Sequence, residues 1–251
     1  MMNVAAEIEK PDGTSPNLTL SLAATLGRKI IARNLTSGMS LPTESELQAE
    51  HGVSRTVVRE AVRHLASKGL VSVGPKVGTR VRPSSEWNML DPEVMEWHLS
   101  SAASADFITA LYELRLMIEP EAARLAASRI SPIQKMALRD SLEGMKENLQ
   151  ETKDLIAADL AFHRVILEST GNPILRSFGA LIENSLSVSF NLSWRKSEPG
   201  QSLNLHGQVV EAIVGGDEDL AALQMRRLIS TAQRDVRQAL AANEAKATSA
   251  L

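Results

Sequence analysis

The sequence predicts a mainly α-helical protein, in which an N-terminal winged helix-turn-helix of three helices and a two-stranded wing precedes a C-terminal all-α helical bundle. Three observations support this fold class. Apolar residues recur at helical spacing through most of the chain, two short β-prone runs flank residues 74–78, and charge is divided unevenly along the sequence. With 251 residues, 43% of them hydrophobic, the chain is long enough to form two cores.

Breaks in the periodic pattern divide the chain into five predicted segments. They are a flexible arm (1–17), the winged helix-turn-helix (18–83), a linker (84–103), the helical domain (104–243) and a flexible tail (244–251). The linker contains Trp87 and Trp97. Because it is so apolar, we expect it to pack between the domains rather than to move freely.

The first two helices are bounded by turn and capping residues. Apolar residues recur at helical spacing from Leu18 until Gly38 ends the first helix. Thr43, followed three residues later by Glu46, is the capping box of a second helix that runs to Gly52.

The third helix is the predicted recognition helix. Ser54 caps it, Gly69 ends it, and a two-stranded hairpin of residues 70–73 and 79–82 follows. Its buried face consists of apolar residues at helical spacing, namely Val57, Val58, Ala61, Val62, Leu65 and Ala66. Another face carries Arg55, Arg59 and Arg63. Aligned guanidinium groups repel one another unless an anion lies opposite, and each can form two bonds with a phosphate or a guanine edge. A solvated charged face is the alternative interpretation.

The net charge of −3 conceals a basic region joined to an acidic one. Residues 18–83 contain ten Lys and Arg but four Asp and Glu, whereas residues 84–251 contain sixteen Lys and Arg and twenty-three Asp and Glu. This asymmetry indicates a polyanionic partner for the first domain alone.

The second half of the chain is helical throughout. Helices are predicted near 105–129, 132–150, 153–170, 174–194, 203–215 and 217–242. Asp159 and His163 lie four residues apart on an inward face, and His206 faces inward on a later helix. Carboxylate and imidazole groups that converge inside a bundle can bind a divalent metal such as zinc or hydrogen-bond a ligand. A satisfied Asp–His hydrogen bond in the core is the alternative.

Two runs in the first domain carry a family resemblance: LPTESELQAEHGVSRTVVREAVRHLASKGL at residues 41–70 and the wing GPKVGT after it. They resemble the DNA-binding domain of GntR-family bacterial regulators over about residues 20–83. The resemblance implies that Arg55 and Arg59 read bases, that Thr56 contacts phosphate, and that the wing enters the minor groove. The full predicted DNA-binding set is Thr43, Ser54, Arg55, Thr56, Arg59, Arg63, Lys76 and Gly78. Ser45 stands where some relatives carry arginine, so one base contact is expected to be absent.

Three runs in the second domain carry another resemblance: LYELRLMIEPEAARLAA at 111–127, DLAFHRVILESTGNPIL at 159–175 and HGQVVEAIVGGD at 206–217. They resemble the FCD effector domain of the FadR subfamily. Many FCD domains bind a metal through an aspartate, a histidine four residues later and two further histidines, and the metal helps hold a carboxylate effector. By that resemblance Asp159, His163 and His206 occupy the first three positions, while the fourth is Leu228. Three protein ligands can still hold zinc, with lower affinity, and a metal-free site is the alternative.

The linker run WNMLDPEVMEW at residues 87–97 and the missing fourth histidine resemble the sugar-acid regulators of this subfamily. The resemblance implies a small carboxylate effector, such as an aldonate or a related hydroxy acid. Arg115 is the predicted carboxylate anchor, and an intrahelical ion pair with Glu119 is the alternative. The predicted effector-binding set is Arg115, Asp159, His163, Asn172, Asn184, Trp194, Arg195 and His206.

These observations predict a homodimeric repressor whose two recognition helices bind adjacent half-sites of operator double-stranded DNA until an effector releases them. An activator is the alternative, since a ligand shifts DNA binding only by its differential affinity for two states. We expect a cytoplasmic protein with no membrane contact, because cysteines, long apolar runs and a signal peptide are absent from the sequence.

Two other functional classes remain as alternatives. The Asp159, His163 and His206 cluster could serve a metal-dependent hydrolase. No additional general base stands out, however, and the DNA-binding domain has no role in that account, so we expect no enzyme activity. A ligand-binding protein that has lost DNA binding is disfavoured by the intact Arg55, Arg59 and wing.

Overall fold

The computed structural model describes residues 16–74, 78–101, 104–149, 152–179, 181–183 and 199–249. The chain divides into two compact units, Met1–Ala102 and Ala103–Leu251. The predicted fold class is confirmed: a winged helix-turn-helix precedes a helical domain. In the part of the chain that the structure describes, the helices are too short or too polar to cross a membrane.

The first unit begins with three helices and a two-stranded wing. The helices are α1 (Pro16–Ile31), α2 (Glu44–His51) and α3 (Arg55–Ser67), and the antiparallel strands are β1 (Val71–Gly74) and β2 (Gly78–Val81). Val71 pairs with Val81 and Gly74 with Gly78. The tip of the wing, which includes Lys76, lies outside the described residues.

Local capping fixes the turn between α2 and α3. The Thr43 hydroxyl accepts from the Glu46 backbone N–H at 3.3 Å, and the Glu46 carboxylate accepts from the Thr43 N–H at 2.7 Å. Gly52 ends α2 with a φ of 64°, a left-handed conformation that glycine adopts without strain. Ser54 then caps α3 by accepting from the Val57 N–H.

The predicted linker belongs to the first unit. A 3₁₀ turn (Ser84–Glu86) and helix α4 (Pro92–Leu99) occupy it, and the buried side chains of Val94 and Trp97 join the core of the winged helix-turn-helix. A Cβ on Gly27 of α1 would lie 2.4 Å from the Trp97 ring, so only glycine permits this close approach. The segment is thus held by the first unit's own core, a contact between α1 and α4 that helical periodicity alone does not show.

Ion pairs of the buried Lys68 side chain also link the recognition helix to the start of α4. Lys68, at the C-terminal cap of α3, lies 2.8 Å from Asp91 and 2.7 Å from Glu93. His64 on α3 contacts the same Glu93 at 2.8 Å. Burial opposes ionisation of Asp91, but the hydrogen bonds and charge of Lys68, together with hydrogen bonds from the backbone N–H groups of Val94 and Glu93, outweigh it and lower the pKa of this carboxyl.

The second unit is built entirely from helices in its described residues. They are α5 (Ser104–Arg129), α6 (Pro132–Glu147), α7 (Thr152–Ser169), α8 (Pro173–Ser177), α9 (Pro199–Gly215) and α10 (Glu218–Ser249). Helix α5 packs along α10, α6 packs along α7, and α9 contacts α5, α6 and α10. The bundle therefore brings the inner faces of α5, α7 and α9 together.

Helix α5 continues through Pro120, which lies in its interior. Proline has no N–H, so the carbonyl of Leu116 one turn earlier loses its usual donor. The Arg226 guanidinium of α10 lies 3.4 Å from that carbonyl and donates to it. This hydrogen bond from a neighbouring helix replaces the one that α5 loses at Pro120. The carbonyl lies between Arg115 and Glu119, which belong to the candidate functional site.

Several helix boundaries differ from the prediction. Helix α1 begins at Pro16 and ends at Ile31, where a helix from Leu18 to Gly38 was predicted, and α9 begins at Pro199 and not near residue 203. The helix predicted for residues 174–194 is interrupted, because α8 ends at Ser177 and Phe178 forms a turn before helical residues resume at 179. The last helix extends to Ser249, so residues 244–249 are helical where a flexible tail was predicted. This end of the chain is rich in alanine and contains neither glycine nor proline, which favours continuation of the helix.

Candidate functional site

The recognition helix presents its arginines to solvent. The side chains of Arg55, Arg59 and Arg63 are 70%, 55% and 66% exposed. The opposite face of α3 is buried in the first unit's core. The three guanidinium groups are therefore held on the outer face of a helix whose position is fixed by packing.

Carboxylates of the same domain lie against these arginines. Glu44, the first residue of α2, places Oε2 at 2.7 Å from Arg55 Nε and Oε1 at 3.7 Å from Arg59 Nε. Arg63 is paired with Glu60 one turn away on its own helix. Glu44 offsets the charge of two aligned arginines, and no pattern in the sequence indicates it because the contact crosses the turn between two helices.

The other predicted DNA-binding residues surround α3. Thr43 and Ser54 cap α2 and α3, and Thr56 is exposed in the first turn of α3. Gly78 begins β2 with a φ of 78°, and its added Cβ would meet no atom within 4 Å, so the glycine is required by conformation and not by space. A cavity of about 550 Å³ lies between α2, α3 and the wing. Arg59, Arg63 and Thr79 are among the residues that line it.

The second candidate site is a buried cluster between α7 and α9. Asp159 and His163 lie on α7 and His206 lies on α9, and one ligand atom from each can be chosen so that all three lie within 4.8 Å of one another. All three residues are at most 5% exposed. The structure thus brings together the three residues that the sequence placed on inward faces.

Both imidazoles turn the same nitrogen toward Asp159. His206 Nε2 lies 3.0 Å and His163 Nε2 lies 3.5 Å from Asp159 Oδ1. On the far side of each ring, His206 Nδ1 lies 2.8 Å from the Ser202 carbonyl and His163 Nδ1 lies 2.6 Å from Glu119 Oε2. An oxygen thus lies beside both nitrogens of each ring, and a metal ion at Nε2 would displace the proton that Nε2 shares with Asp159, while the oxygen beside Nδ1 favours a proton there.

The spacing of these atoms suits a metal ion. Two ligand atoms bound at about 2.1 Å to one ion lie about 3.0 to 3.4 Å apart at octahedral or tetrahedral angles. The distances of 3.0 and 3.5 Å from Asp159 Oδ1 are close to this range, and the three candidate ligand atoms lie within 4.8 Å of one another. Leu228 is buried and apolar and supplies no ligand atom. The residues present therefore fit a divalent ion with three protein ligands and at least one open position.

Arg115 and Glu119 extend the cluster on α5. Arg115 Nε donates to Glu119 Oε1 at 2.5 Å, and the two side chains are 1% and 2% exposed. The intrahelical Arg115–Glu119 ion pair, the alternative to a free carboxylate anchor, is thus present. Arg115 Nη1 is nevertheless buried and has no hydrogen-bond partner among the residues that the structure describes. The guanidinium therefore keeps a buried donor for which a ligand oxygen would be a suitable acceptor.

The charges in this cluster compensate one another. Burial opposes ionisation of Glu119, but Arg115 and His163 outweigh it and lower the pKa of Glu119 to about 2. Burial also opposes the charged form of His163, but Glu119 and Asp159 outweigh it and raise the pKa of His163 to about 9. In the same way, hydrogen bonds from His163 and His206 overcome burial and hold the pKa of Asp159 well below its usual range.

Of the remaining predicted effector residues, Asn172 is the one within the described ranges, and it is not brought to this cluster. Asn172 caps α8, where its side-chain oxygen accepts from the backbone N–H groups of Ile174 and Leu175. Asn184, Trp194 and Arg195 lie outside the described residues. The sequence named Glu119 as a partner of Arg115, but its contact with His163 on another helix became visible only in the fold.

A cavity of about 490 Å³ reaches His163 from the side of α8. Its walls come from α7 and from residues 176–183, and they carry Arg164 and Arg176. The volume lies within the range of about 300–1,000 Å³ that is typical of small-molecule sites.

Comparisons with known proteins identify the families of the two halves of the chain. Residues 18–81 match the family described as bacterial regulatory proteins, gntR family, and residues 110–231 match the FCD domain. The HTH-type transcriptional regulator YieP of Escherichia coli (strain K12) is 36% identical over 208 residues, which cover 82% of this chain and 89% of that protein. The galactonate operon transcriptional repressor of the same organism is 30% identical over 224 residues, covering 88% of this chain and 98% of that protein.

Two further relatives were found. The HTH-type transcriptional repressor NanR of Salmonella newport (strain SL254) is 34% identical over 199 residues, covering 73% of this chain and 72% of that protein. A solved structure of Lar, described as controlling expression of the Listeria monocytogenes agr system, aligns with a TM-score of 0.63. Its identity is 18%, over 88% of this chain and 97% of that one, so this likeness supports the fold alone. The sequence relatives are regulators rather than enzymes, which removes the hydrolase alternative.

Proposed function

The chain belongs to the GntR family of bacterial transcriptional regulators with an FCD effector-binding domain, and from this premise we propose that it is a repressor released from its operator by a sugar acid. Two of the relatives are named as repressors, one of them of a galactonate operon. Their similarity over most of both chains supports repression and a hydroxy-acid effector, and no observation favours an activator.

The observation that carries the proposal is the unpartnered Nη1 of Arg115. A buried donor without an acceptor costs about 1–3 kcal/mol, and more when the group is charged. An incoming carboxylate would accept from Nη1 and offset this cost through a charge-assisted hydrogen bond. The class of ligand that best matches the donor is therefore an anion with oxygen acceptors, which is the chemistry of a small acid.

Asp159, His163 and His206 form the second part of the proposed effector site, where they would hold a divalent metal such as zinc. The ion would supply positive charge and open positions for a carboxylate or hydroxyl oxygen. The chain's own contribution is orientation: Ser202 and Glu119 turn the two imidazoles so that Nε2 faces Asp159. Because Leu228 adds no fourth ligand, we expect weaker metal binding than at a four-ligand site.

On the DNA side, we propose that Arg55 and Arg59 read base edges in the major groove. Their exposure on the outer face of α3 supports this role. The other DNA contacts proposed are to the backbone or from the wing, at Thr43, Ser54, Thr56, Arg63, Lys76 and Gly78. Ser45, exposed on α2, has no guanidinium to offer, so we expect an operator that lacks the corresponding base contact.

Two copies of the chain would bind one operator. A recognition helix reads one half-site, and a symmetric dimer places two such helices on a near-palindromic sequence. Such a regulator would act in the cytoplasm, where bacterial operator DNA lies.

A thermal-shift experiment tests the effector assignment. The full-length protein, loaded with zinc, is heated with each member of a panel of aldonates and uronates, and with the matching neutral sugars as controls. A bound effector raises Tm by mass action. We expect at least one acid to raise Tm while its neutral counterpart does not. A Tm that no acid changes would contradict the assignment of Arg115 as a carboxylate anchor.

A further inference from the structure

We infer that Glu44 is a positioning residue that sets how strongly the recognition helix discriminates between DNA sequences. This inference rests on the proposed reading of bases by Arg55 and Arg59. Glu44 would hold both guanidinium groups in orientations that suit guanine edges, and its negative charge would weaken their attraction to phosphates of any sequence.

The geometry places one carboxylate between two arginines. Its two oxygens are divided, Oε2 at 2.7 Å from Arg55 Nε and Oε1 at 3.7 Å from Arg59 Nε. Both contacts are made at Nε. The outer N–H bonds of the two Nη groups lie at the end of each guanidinium away from Nε, and this pair can form two parallel bonds with O6 and N7 of guanine.

The contact contributes little to folding. The side chain of Glu44 is 40% exposed, and those of Arg55 and Arg59 are 70% and 55% exposed. Exposed ion pairs of this kind typically contribute about 0–1 kcal/mol. The start of α2 is already capped by Thr43 and Glu46. The Glu44 carboxylate therefore acts mainly on a ligand that approaches the two arginines.

An approaching DNA duplex is affected in two ways. Non-specific binding depends on cationic charge at the phosphates, and Glu44 reduces the charge of the pair of arginines from two to one. Specific binding depends in addition on orientation, which the hydrogen bond from Arg55 Nε supplies directly and the longer ion pair with Arg59 favours by its charge. Loss of the carboxylate thus strengthens binding to DNA of random sequence. At the preferred sequence, stronger attraction to the phosphates is offset by the lost orientation of the arginines.

The contacts of Arg63 and Lys29 show that a carboxylate shared between two recognition arginines is particular to Glu44. Arg63 pairs with Glu60 of its own helix and shares no acid with the other two arginines. Glu50, at the other end of α2, pairs with Lys29 of α1 at 2.9 Å, and its side chain is 48% exposed. Glu50 is thus a matched acid on the same helix that contacts neither recognition arginine in the structure described.

The experiment compares Glu44→Gln with Glu50→Gln in the full-length protein. Fluorescence anisotropy measures binding to two duplexes of equal length, one enriched from random DNA by the wild-type protein and one of random sequence, over a series of salt concentrations. For Glu44→Gln we expect binding to the random duplex to tighten about eightfold at 0.1 M salt, with a salt slope steeper by about 0.9, since one more phosphate is neutralised. Binding to the enriched duplex should change less than about twofold, so the specificity ratio falls.

A third variant separates charge from position. Glu44→Asp keeps the charge but is one methylene shorter, so it should bind the random duplex like the wild type and the enriched duplex more weakly. Glu50→Gln should leave the specificity ratio unchanged. The role of Glu44 alone is overturned if Glu44→Gln also leaves that ratio unchanged. A wild-type protein that enriches no sequence would overturn base reading itself, and the role of Glu44 with it.

Discussion

Two arginine–glutamate pairs in this protein have nearly the same length and opposite surroundings. Arg55 and Glu44 lie 2.7 Å apart with side chains 70% and 40% exposed, whereas Arg115 and Glu119 lie 2.5 Å apart with side chains 1% and 2% exposed. Exposed pairs contribute about 0–1 kcal/mol, but removal of one partner from a buried pair costs about 3–5 kcal/mol. An arginine–glutamate pair can thus adjust DNA binding where it is exposed and maintain the structure of a ligand site where it is buried.

The largest expected effect on stability is at Glu119. Glu119→Ala leaves Arg115 and His163 buried without their shared counter-charge and should lower the free energy of unfolding by about 3–5 kcal/mol. Urea unfolding of the purified variant measures this loss. Glu121→Ala is the control, because Glu121 lies on the same helix with a side chain 60% exposed. Equal losses in the two variants would show that the buried pair has no special role.

Metal binding by the same buried cluster is the next prediction. His206→Ala removes one of three proposed ligands and should reduce the metal content of zinc-treated protein from about one ion per chain to near zero. Elemental analysis after gel filtration measures the content. His51→Ala serves as the control because His51 lies in the first unit and pairs with Glu50. Unchanged zinc in His206→Ala would argue for a metal-free site.

The exposed region should respond through DNA affinity rather than stability. Arg59→Ala should weaken binding to the enriched duplex by about 1–3 kcal/mol, which is roughly 5- to 150-fold, by removing a bidentate base contact. The exposed Arg139→Ala in the second unit controls for the loss of one positive charge. If Arg59→Ala and Arg139→Ala bind the duplex equally well, the recognition face has been assigned incorrectly.

The smallest expected effect is on the free energy of unfolding when Glu44 is replaced. Glu44→Gln should change the free energy of unfolding by less than about 1 kcal/mol, because its ion pairs are exposed and Thr43 still caps α2. Urea unfolding under the conditions used for Glu119→Ala gives a direct contrast. A loss as large as that of Glu119→Ala would mean that Glu44 maintains the fold, and the contrast between the two pairs would disappear.

The sequence predicted those features that depend on local chemistry. The capping residues Thr43 and Ser54 and the apolar face of α3 are decided within one helical turn, so they could be recognised before the fold was known. Asp159 and His163 are four residues apart on one helix, and His206 could be added because its neighbours also face inward. In these cases a short periodic pattern determines which way a side chain points.

Features that depend on packing between helices were missed. Glu44 meets Arg55 only through the angle between α2 and α3, and Glu119 meets His163 only because α5 packs against α7. The linker joins the first unit because Gly27 admits the Trp97 ring, which no periodicity in either segment indicates. A pattern within one helix carries no information on such partners, since they are chosen by the neighbouring helix.

The central claim is that the buried pair senses a small acid while the exposed pair reads DNA. The most direct test is anisotropy of a labelled duplex from upstream of the protein's own gene, bound by the zinc-loaded full-length protein and titrated with sugar acids. The account predicts that at least one acid weakens DNA binding by about 5- to 150-fold, as is typical of coupled sites, and that its neutral counterpart has no effect. DNA affinity that stays constant with every acid, although one of them binds and raises Tm, would contradict it.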